Sequence, residues 1–241
     1  MFKLSVVIPT FNESRSETLP KILTKFSALN EVEVVVSDGG SSDNTIELAQ
    51  SFGAKIVHCS TNSRAQRLNF GAQAATGDLL LFHHPRSIID AGGIEHLIKH
   101  SSSLDWGGFT HRFDVEHPLL SFTSWYSNKV RGAISGILYL DHCIFIKKSI
   151  FENMGPIPPV DIFEDTILCQ RALKAAGKPK ILPYLSKTSA IRFTQNGVCK
   201  QALKNQYLKI LFYLGGDHRK MNKLYEEDIA LNSQYQSNKK K

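Results

Sequence analysis

The first hundred residues alternate short apolar runs with longer segments whose apolar residues recur every three or four positions. A short run rich in β-branched residues predicts a strand, and the longer period predicts an amphipathic helix. The predicted elements, in chain order, are a strand at residues 4–9, a helix at 18–29, a strand at 33–37, a helix at 45–52, a strand at 55–58, a helix at 63–75 and a strand at 78–82. Thr18 is the expected cap of the first helix. This alternation predicts an α/β fold with a mostly parallel sheet whose strands are buried on both faces.

The second half of the chain has a less regular pattern. We predict a strand at residues 106–113, a helix at 119–129, a strand at 143–147, a helix at 163–176 and a longer helix at 197–214. The chain then divides into an α/β domain over residues 1–195, a helical extension over 196–232 and a disordered basic tail over 233–241.

The formal net charge of the 241-residue chain is +7, and most of the basic excess lies near its C-terminus. Residues 199–241 carry nine Lys and Arg against four Asp and Glu. This distribution argues against a nucleic-acid-binding core and favours a contact between the C-terminal region and an anionic surface.

The four cysteines are scattered, without the spacing of a zinc site, so reduced thiols are expected. The N-terminal apolar run is only as long as a strand and lacks a signal-peptide cleavage site. No stretch reaches the roughly 20 apolar residues of a membrane span. We therefore expect a cytoplasmic protein, with peripheral contact to the inner face of the membrane as an option.

Polar residues follow the predicted strands at the carboxyl ends, where parallel sheets bind ligands. The sequence TFNE follows the first strand, SDGGSSDNT accompanies the end of the second, and HHPR follows the fourth. Gly-Gly with Ser42 or Asp43 has a purely structural interpretation, as a turn and a helix cap. Asp38 directly follows an apolar strand and caps nothing in this interpretation, so it is the better candidate for a ligand contact.

Four segments occur in an order that resembles the family-two inverting glycosyltransferases of the GT-A fold. They are VVIPTFNE at residues 6–13, VVVSDGGSSDNT at 34–45, SRAQRLNFGAQAATGDLLLF at 63–82 and FED at 163–165. The resemblance covers residues 4–185 and is nearest to small bacterial members with a DGGSSD…GRA…GD signature. It implies a GT-A domain over residues 1–195 and transfer of one sugar, with inversion, from a nucleotide-linked donor to an acceptor hydroxyl.

The resemblance also implies residue roles at the nucleoside. It places there Thr10, Phe11, Glu13, Asp38 and Gly39. Phe11 would lie near the base, and Asp38 would accept a hydrogen bond from the base imide. Such a contact favours uracil, and hence a UDP-linked donor.

The remaining implied roles concern the diphosphate and the reaction. Arg64 would approach the diphosphate, and Asn69 and Gly71 would lie where the third helix passes the donor. Asp165, paired with Glu164, would be the base that deprotonates the acceptor. Inverting transfer does require a carboxylate near the acceptor hydroxyl and a cation at the departing diphosphate. The structural alternative is that both acids simply favour a helix N-terminus.

The segment after the fourth strand departs from the family. In the family members that this chain most resembles, the segment is similar to Leu-His-Ala-Asp-Thr, and its aspartate binds the metal. This chain instead has HHPRS at residues 83–87, with Arg86 in the position of that aspartate. Three interpretations compete. Arg86 contacts the diphosphate in place of Mg²⁺ or Mn²⁺; His84 with Asp141 or His142 still holds a metal; or the chain binds sugar nucleotides without turning them over.

Acceptor recognition is expected in residues 106–147 and in the C-terminal region. Asp141 and His142 either contact the donor sugar or the acceptor, or close a turn before the next strand. Trp125 and Tyr126 are expected to pack in the core rather than to stack on a sugar.

The predicted helix at residues 197–214 has apolar residues at helical spacing, with lysines between them. The favoured interpretation is an amphipathic helix packed on the domain. The alternative is an interfacial helix that meets anionic lipid and serves a lipid-linked acceptor. The apolar residues are Leu203, Tyr207, Ile210, Leu211 and Leu214.

Two rival functions remain open. A sugar-phosphate nucleotidyltransferase also has a nucleotide-binding sheet. Enzymes of that kind are expected to have a Gly-rich, Arg-Lys phosphate loop near the N-terminus, which this chain lacks. A catalytically inactive sugar-nucleotide-binding or scaffold protein would share the fold and the nucleotide site. No nucleic-acid partner is expected.

Overall fold

The computed structural model describes residues 2–59, 61 and 63–232, and the predicted disordered tail lies outside them. The strands are β1 Leu4–Thr10, β2 Val32–Asp38, β3 Lys55–His58, β4 Leu79–Phe82, β5 Ser87–Ile89, β6 Trp106–Phe113, β7 Ile144–Lys147 and β8 Lys180–Thr188. The α-helices are α1 Thr18–Ser27, α2 Thr45–Ser51, α3 Arg64–Ala74, α4 Ala91–His100, α5 Pro118–Tyr126, α6 Lys148–Met154, α7 Glu164–Ala176, α8 Ile191–Asn196, α9 Val198–Tyr213 and α10 His218–Glu226. A π-helical segment, Ser127–Gly132, continues α5, and Leu140–His142 form a 3₁₀ turn.

The strands form one sheet in the order β3-β2-β1-β4-β7-β6-β8-β5. β3, β2, β1 and β4 are parallel. β7 is antiparallel to both β4 and β6, and β8 is parallel to β6 but antiparallel to β5. The register pairs Thr10 with Asp38. The polar residues that end β1 and β2 therefore lie side by side at one edge of the sheet.

Both faces of the sheet are covered, as the continuous apolar strands predict. Val6 and Ile8 of β1 face one core, into which α1, α2 and α4 pack. Val7 faces the other, which receives apolar side chains of α3, α6 and α7. This three-layer arrangement leaves the strand ends free to build a site.

The predicted caps of α1 and α2 are wrong. Thr18 is the first residue of α1, and Glu17 holds the cap position without a side-chain capping bond. Asn44, not Ser42 or Asp43, holds the cap position of α2. Asp43 nevertheless accepts a hydrogen bond from the Thr45 N–H at 3.1 Å, so its side chain still serves the start of that helix.

Several elements of the second half are not evident in the sequence pattern, for identifiable reasons. Pro183 interrupts β8, and the register against β6 shifts between Phe109 and Thr110 to accommodate it. α4 contains Gly92 and Gly93, which are poor helix formers. Tertiary packing, rather than local preference, holds these elements in place.

The C-terminal region is helical, as predicted, and ends in α10. α9, with 16 residues, is the longest helix in the described part of the chain. Among the described residues, no helix combines the length and the apolar character needed to cross a bilayer.

All four cysteines are free. Cys59, Cys143 and Cys169 are buried and Cys199 is exposed. The reducing compartment inferred from the sequence stays a prediction.

Gly71 allows α3 to approach the sheet closely. A Cβ atom at this position would overlap the Val7 side chain and lie 3.1 Å from Ser37 Oγ. The side of the helix that carries Gly71 therefore packs on β1 and β2. The expected role of Gly71 beside the donor is replaced by a packing role.

We predict that Gly71→Ala destabilises the fold. Overpacking a core typically costs about 1–3 kcal/mol, and rigid strands prevent relaxation here. The free energy of unfolding, measured by urea titration, should fall by that amount. Gln73→Ala, at an exposed position of the same helix, should change it by less than about 0.5 kcal/mol. Equal effects would contradict the close helix–sheet contact.

Candidate active site

A cavity of about 220 Å³ lies among the segment after β4, the strands β6 and β8, and the helices α5, α7, α8 and α9. Of the predicted site residues, the walls include Arg64, His84, Arg86, Asp141 and Asp165. The other predicted residues lie outside these walls, namely Thr10, Phe11, Glu13, Asp38, Gly39, Asn69, His142 and Glu164. The cavity is smaller than the roughly 300–1,000 Å³ of typical small-molecule pockets. Leu231 and Asn232, at the end of the described chain, lie in its wall.

Asp38 is fully engaged by its own turn. Its Oδ2 accepts hydrogen bonds from the N–H groups of Gly40 at 2.9 Å and Ser41 at 2.7 Å. Its Oδ1 accepts from Thr10 Oγ1 at 2.9 Å and Ser41 Oγ at 2.5 Å. The expectation that Asp38 plays no part in the turn is therefore wrong, because four local donors already hold its carboxylate.

The two glycines after Asp38 have separate purposes. Gly40 has φ +88°, in the left-handed region that glycine tolerates best. A Cβ on Gly39 would lie 3.0 Å from Arg67 Cδ and 3.2 Å from Arg67 Nη1. Gly39 therefore makes room for the Arg67 side chain beneath the turn.

Arg67 is a buried guanidinium, only 1% exposed. Its Nη1 donates to the Thr10 carbonyl at 2.8 Å, and its Nη2 donates to the Asn232 carbonyl at 2.6 Å. Its Nε has no hydrogen-bond partner among the described residues. Burial, together with Arg64, lowers the pKa of Arg67 to about 10. A buried cation held by neutral carbonyls is a site that favours an anion.

Arg86 lies in a similar environment. Its Nη2 forms an ion pair with Glu13 and donates to the Leu231 carbonyl at 2.7 Å. Glu13 is almost completely buried, and burial raises its pKa to about 7 although Arg86 and Arg67 oppose the shift. Arg86 thus combines a carboxylate partner with a main-chain carbonyl partner.

A buried ion pair secures the C-terminal segment. Arg192 Nη2 donates to Glu226 Oε1 at 3.1 Å, and Arg192 Nη1 donates to the Tyr225 and Ile229 carbonyls at 2.8 and 2.9 Å. Glu226 Oε2 accepts from the Leu231 N–H at 2.6 Å and more weakly from the N–H of the residue after it. The segment that meets Arg67 and Arg86 is therefore held by the Glu226 carboxylate.

Asp165 and Glu164 begin α7 after a strained residue. Phe163 has φ +63°, which is uncommon for a side chain of this size. Asp165 Oδ1 accepts from the Thr166 N–H at 2.7 Å, and Oδ2 accepts from the Leu140 N–H at 3.1 Å. Burial and Glu164 raise the pKa of Asp165 to about 7 against the opposing effect of Arg64. This carboxyl titrates where a general base at neutral pH must titrate.

Arg64 links the two acids. It forms an ion pair with Glu164, and its Nη2 lies 3.9 Å from Asp165 Oδ2. Glu164 is completely buried, and its Oε2 has no described partner. Glu164 therefore positions Arg64 from outside the cavity, and only Asp165 of this pair lines it.

Asp141 and His142 have different roles, although they are adjacent. Asp141 lines the cavity, with Oδ2 3.4 Å from His111 Nε2 and Oδ1 without a described partner. Burial raises the pKa of Asp141, but His111, His142 and Arg131 outweigh it and lower the pKa to about 2. Asp141 is therefore an ionised carboxylate aimed at the site.

His142 is held by two hydrogen bonds. Its ring nitrogens bond to Ser127 Oγ at 2.8 Å and to the Phe109 carbonyl at 2.9 Å. Burial lowers its pKa to about 3, so the ring is neutral. These bonds give His142 a structural role, and its expected contact with donor or acceptor stays a prediction.

Asn69 also has a structural role. Its Nδ2 donates to the Ile157 carbonyl at 2.7 Å, and its Oδ1 accepts from the Ile157 N–H at 2.9 Å. The amide thus holds the loop that leads to α7, and its expected contact with the donor stays a prediction.

The residues described here do not form an evident metal centre. Among them, no group of three or more His, Cys, Asp or Glu side chains is arranged to hold a metal ion. His84 Nδ1 accepts from the Arg86 N–H at 3.1 Å, and burial with Arg86 keeps its pKa well below the usual range. The donor set around His84 thus fits a guanidinium neighbour better than a hard cation.

Three residues of the site region escaped the sequence analysis: His111 and Arg192 line the cavity, whereas Arg67 lies outside its walls. Arg67 follows Arg64 by one helical turn, and that spacing was a usable signal. His111 lies in β6 and Arg192 in α8, and neither stands in a motif that marks it.

Comparison with known proteins adds a family assignment. The family model for glycosyl transferase family 2 matches residues 5–153, more than half of the chain. The matched segment ends before α7, so it includes Arg64, Arg67 and Arg86 but not Asp165.

Two curated relatives show the same affiliation. Validoxylamine A glucosyltransferase of Streptomyces hygroscopicus is 37% identical over 87 residues, covering 33% of this chain and 21% of that protein. The PGL/p-HBAD biosynthesis glycosyltransferase of Mycobacterium bovis is 24% identical over 182 residues, covering 63% of this chain and 62% of that protein. The chain thus spans less than two thirds of the length of either relative.

Solved structures confirm the fold. TarS of S. aureus, residues 1–349 in complex with UDP-GlcNAc, has a TM-score of 0.61 at 18% identity and covers 78% of this chain and 58% of that one. Glucosyl-3-phosphoglycerate synthase of Mycobacterium tuberculosis, in complex with Mn²⁺, UDP and glucosyl-3-phosphoglycerate, has a TM-score of 0.57 at 17% identity, with coverages of 78% and 70%. The predicted GT-A architecture is correct.

The buried ion pair yields a stability prediction. Glu226→Ala should lower the free energy of unfolding by about 3–5 kcal/mol, because Arg192 loses its buried partner and the end of the chain loses its acceptor. The neighbouring Glu227 is exposed, so Glu227→Ala should cost less than about 0.5 kcal/mol. Urea unfolding followed by circular dichroism measures both. A small effect of Glu226→Ala would show that the pair does not hold the segment.

Proposed function

The chain belongs to glycosyl transferase family 2, and on that premise we propose that it transfers a sugar from a UDP-linked donor to an acceptor hydroxyl, with inversion at the anomeric carbon. Binding and chemistry would both occur at the cavity edge of the sheet. Arg86 and Asp165 line the cavity, whereas the proposed nucleoside site at the ends of β1 and β2 lies outside its walls. Arg86 connects the two regions, because it also pairs with Glu13.

The observation that carries the proposal is the pairing of two buried arginines with main-chain carbonyls. Arg67 and Arg86 donate to the Asn232 and Leu231 carbonyls at 2.6 and 2.7 Å. Oxygen atoms of a diphosphate would make stronger, charge-assisted bonds at the same positions. We propose that the donor displaces residues 231–232 and enlarges the cavity as it binds.

The nucleoside would lie at the ends of β1 and β2. Phe11 is half-buried there and follows Thr10, the buried last residue of β1. We propose that the base imide donates to Asp38 Oδ1 in place of the Ser41 hydroxyl, which now bonds to it at 2.5 Å. The complexes of TarS with UDP-GlcNAc and of the Mycobacterium tuberculosis synthase with UDP support the choice of uracil.

Asp165 would be the catalytic base. In the proposed step the acceptor O–H proton passes to Asp165, and the acceptor oxygen forms a bond to the anomeric carbon. The bond from that carbon to the diphosphate oxygen breaks on the opposite face, and the electron pair leaves with the diphosphate. Arg86 and Arg67 would stabilise the charge that develops on the diphosphate.

A divalent cation would supply the same kind of charge at the diphosphate. The structure of the Mycobacterium tuberculosis synthase contains Mn²⁺. In this chain the donor set around Arg86 does not fit such an ion, since no described group of three metal-ligating side chains occurs there. The proposed steps therefore depend on the guanidinium groups.

The pH dependence and the effect of Asp165→Asn test the base. The rate should rise with pH through about 7 as Asp165 loses its proton, and Asp165→Asn should lower turnover by about 10²–10⁴. Its UDP affinity should stay within about threefold, which is less than 1 kcal/mol. UDP release from UDP-glucose and UDP-N-acetylglucosamine measures turnover.

Asp78→Asn, at an exposed position, is the matched control and should behave as wild type. Normal turnover by Asp165→Asn would disprove the base assignment. Binding of UDP without turnover of any UDP-sugar by the wild type would favour the rival, an inactive nucleotide-sugar-binding protein.

Calorimetric titration with UDP tests the diphosphate site. We expect UDP to bind equally well with EDTA and with Mn²⁺. Arg86→Gln should weaken binding by about tenfold or more, because charge-assisted bonds are lost. Arg15→Ala, at an exposed position, should have no effect. Binding only with Mn²⁺ would contradict the role of Arg86.

A further inference from the structure

Two neighbouring elements expose most of the large apolar side chains that reach the surface. Of the twelve such side chains in the described residues, nine lie on α5, the segment after it, and α9. We call these nine the aromatic face: Phe122, Trp125, Tyr126, Ile134, Leu203, Tyr207, Ile210, Tyr213 and Leu214. Leu120 of α5 packs with Ala202 of α9, so the two helices are adjacent. The face is far larger than the scattered single exposures that soluble surfaces tolerate.

The exposure of this face reverses two expectations. Trp125 is 52% exposed and stacks only on Phe122, with ring centroids 5.7 Å apart, so it does not pack in the core. On α9, Leu203 and Leu214 are 71% and 78% exposed, whereas the polar Gln201 is buried. The apolar side of α9 therefore faces outward. The favoured interpretation, in which α9 packs on the domain through its apolar side, is wrong for these residues.

The inward-facing side of α9 makes its hydrogen bonds and apolar contacts through other residues. Gln201 Nε2 donates to Asn205 Oδ1 at 2.7 Å, and Gln201 Oε1 accepts from Asn196 at 2.6 Å. Leu208 is buried beside Met221 of α10. Rotation of α9 to bury Leu203 or Leu214 would break the Gln201–Asn196 bond and the packing of Leu208, so these apolar side chains are left to meet an external partner.

The charge around the face indicates the partner. Residues 117–140 and 197–216 contain five Lys or Arg and no Asp or Glu, and two of the five, Arg131 and Lys209, line the cavity. Lys129 and Lys200 are exposed, and Lys200 and Lys204 also bond to Asp228 at 3.0 and 2.7 Å. A second copy of this chain would bring like charges together, whereas an anionic surface would complement them.

We propose that the aromatic face inserts into the headgroup–acyl boundary of an anionic lipid bilayer. Trp and Tyr prefer this boundary because their rings are apolar and their polar tips reach water. The lysines at the rim meet acidic headgroups, and α9 lies in the plane of the interface.

The same helices connect this surface to the cavity. Thr123 and Ser127 line the cavity from the α5 side, and Asn205, Leu208 and Lys209 line it from α9. Docking by the aromatic face therefore places the cavity beside the bilayer. Resting on the proposed function, this geometry assigns the acceptor hydroxyl to a lipid-linked molecule that stays in the membrane.

Vesicle co-sedimentation tests the surface. Phosphatidylcholine vesicles with and without phosphatidylglycerol are mixed with wild type, with Trp125→Ser/Tyr207→Ser/Ile210→Ser and with Lys129→Glu. We expect wild type to prefer the anionic vesicles, the triple variant to bind them about tenfold or more weakly, and Lys129→Glu to lose part of that preference. Phe70→Ser, which removes an aromatic side chain 45% exposed outside the face, is the matched control and should bind as wild type.

The melting temperature and the UDP affinity of each variant are measured as controls. Both should equal those of wild type, because all the substituted side chains are exposed. Failure of wild type to bind anionic vesicles overturns the proposal. Binding of the triple variant to anionic vesicles as tightly as wild type also overturns the proposal. So does a wild-type dimer that the triple variant no longer forms. Vesicle binding by a wild type that does not bind UDP would instead support the surface while refuting the proposed function.

Discussion

Burial of arginine at the edge of a parallel sheet is the constraint on which the structure depends. A guanidinium that is almost fully buried needs nearby hydrogen-bond acceptors, because an unpaired buried charge destabilises the fold. Arg67 ties α3 to the end of β1 through the Thr10 carbonyl, requires glycine at position 39, and holds the Asn232 carbonyl. The strand ends, the Asp38 turn and the C-terminal segment are thus organised around one cation.

The sequence predicted the first half of the fold well because local pattern and tertiary structure agree there. β1, β2 and β4 are mostly apolar, and α1 to α3 carry their own helical signals. The second half depends on packing that no local pattern records: β8 accommodates Pro183 by a register shift against β6, and α4 forms despite Gly92 and Gly93. Elements of this kind require knowledge of their neighbours in space.

Motifs identified part of the cavity wall, although other motif residues such as Thr10 and Asp38 lie outside it. Asp165, Arg64 and Arg86 were identified from motifs and do line the cavity. His142 and Asn69 stood in plausible positions, but their polar atoms bond to main chain or a buried hydroxyl. Arg192, which belongs to a C-terminal helix, contributes to the cavity wall without any signal in the sequence.

The central claim is that the buried arginines accept a diphosphate in place of main-chain carbonyls, beside a base held by α7. A crystal structure of the protein soaked with UDP tests it most directly. The account predicts diphosphate oxygens within hydrogen-bond distance of Arg67 and Arg86, with the Leu231 and Asn232 carbonyls displaced from both. UDP bound elsewhere, or bound with those carbonyl contacts intact, would contradict it.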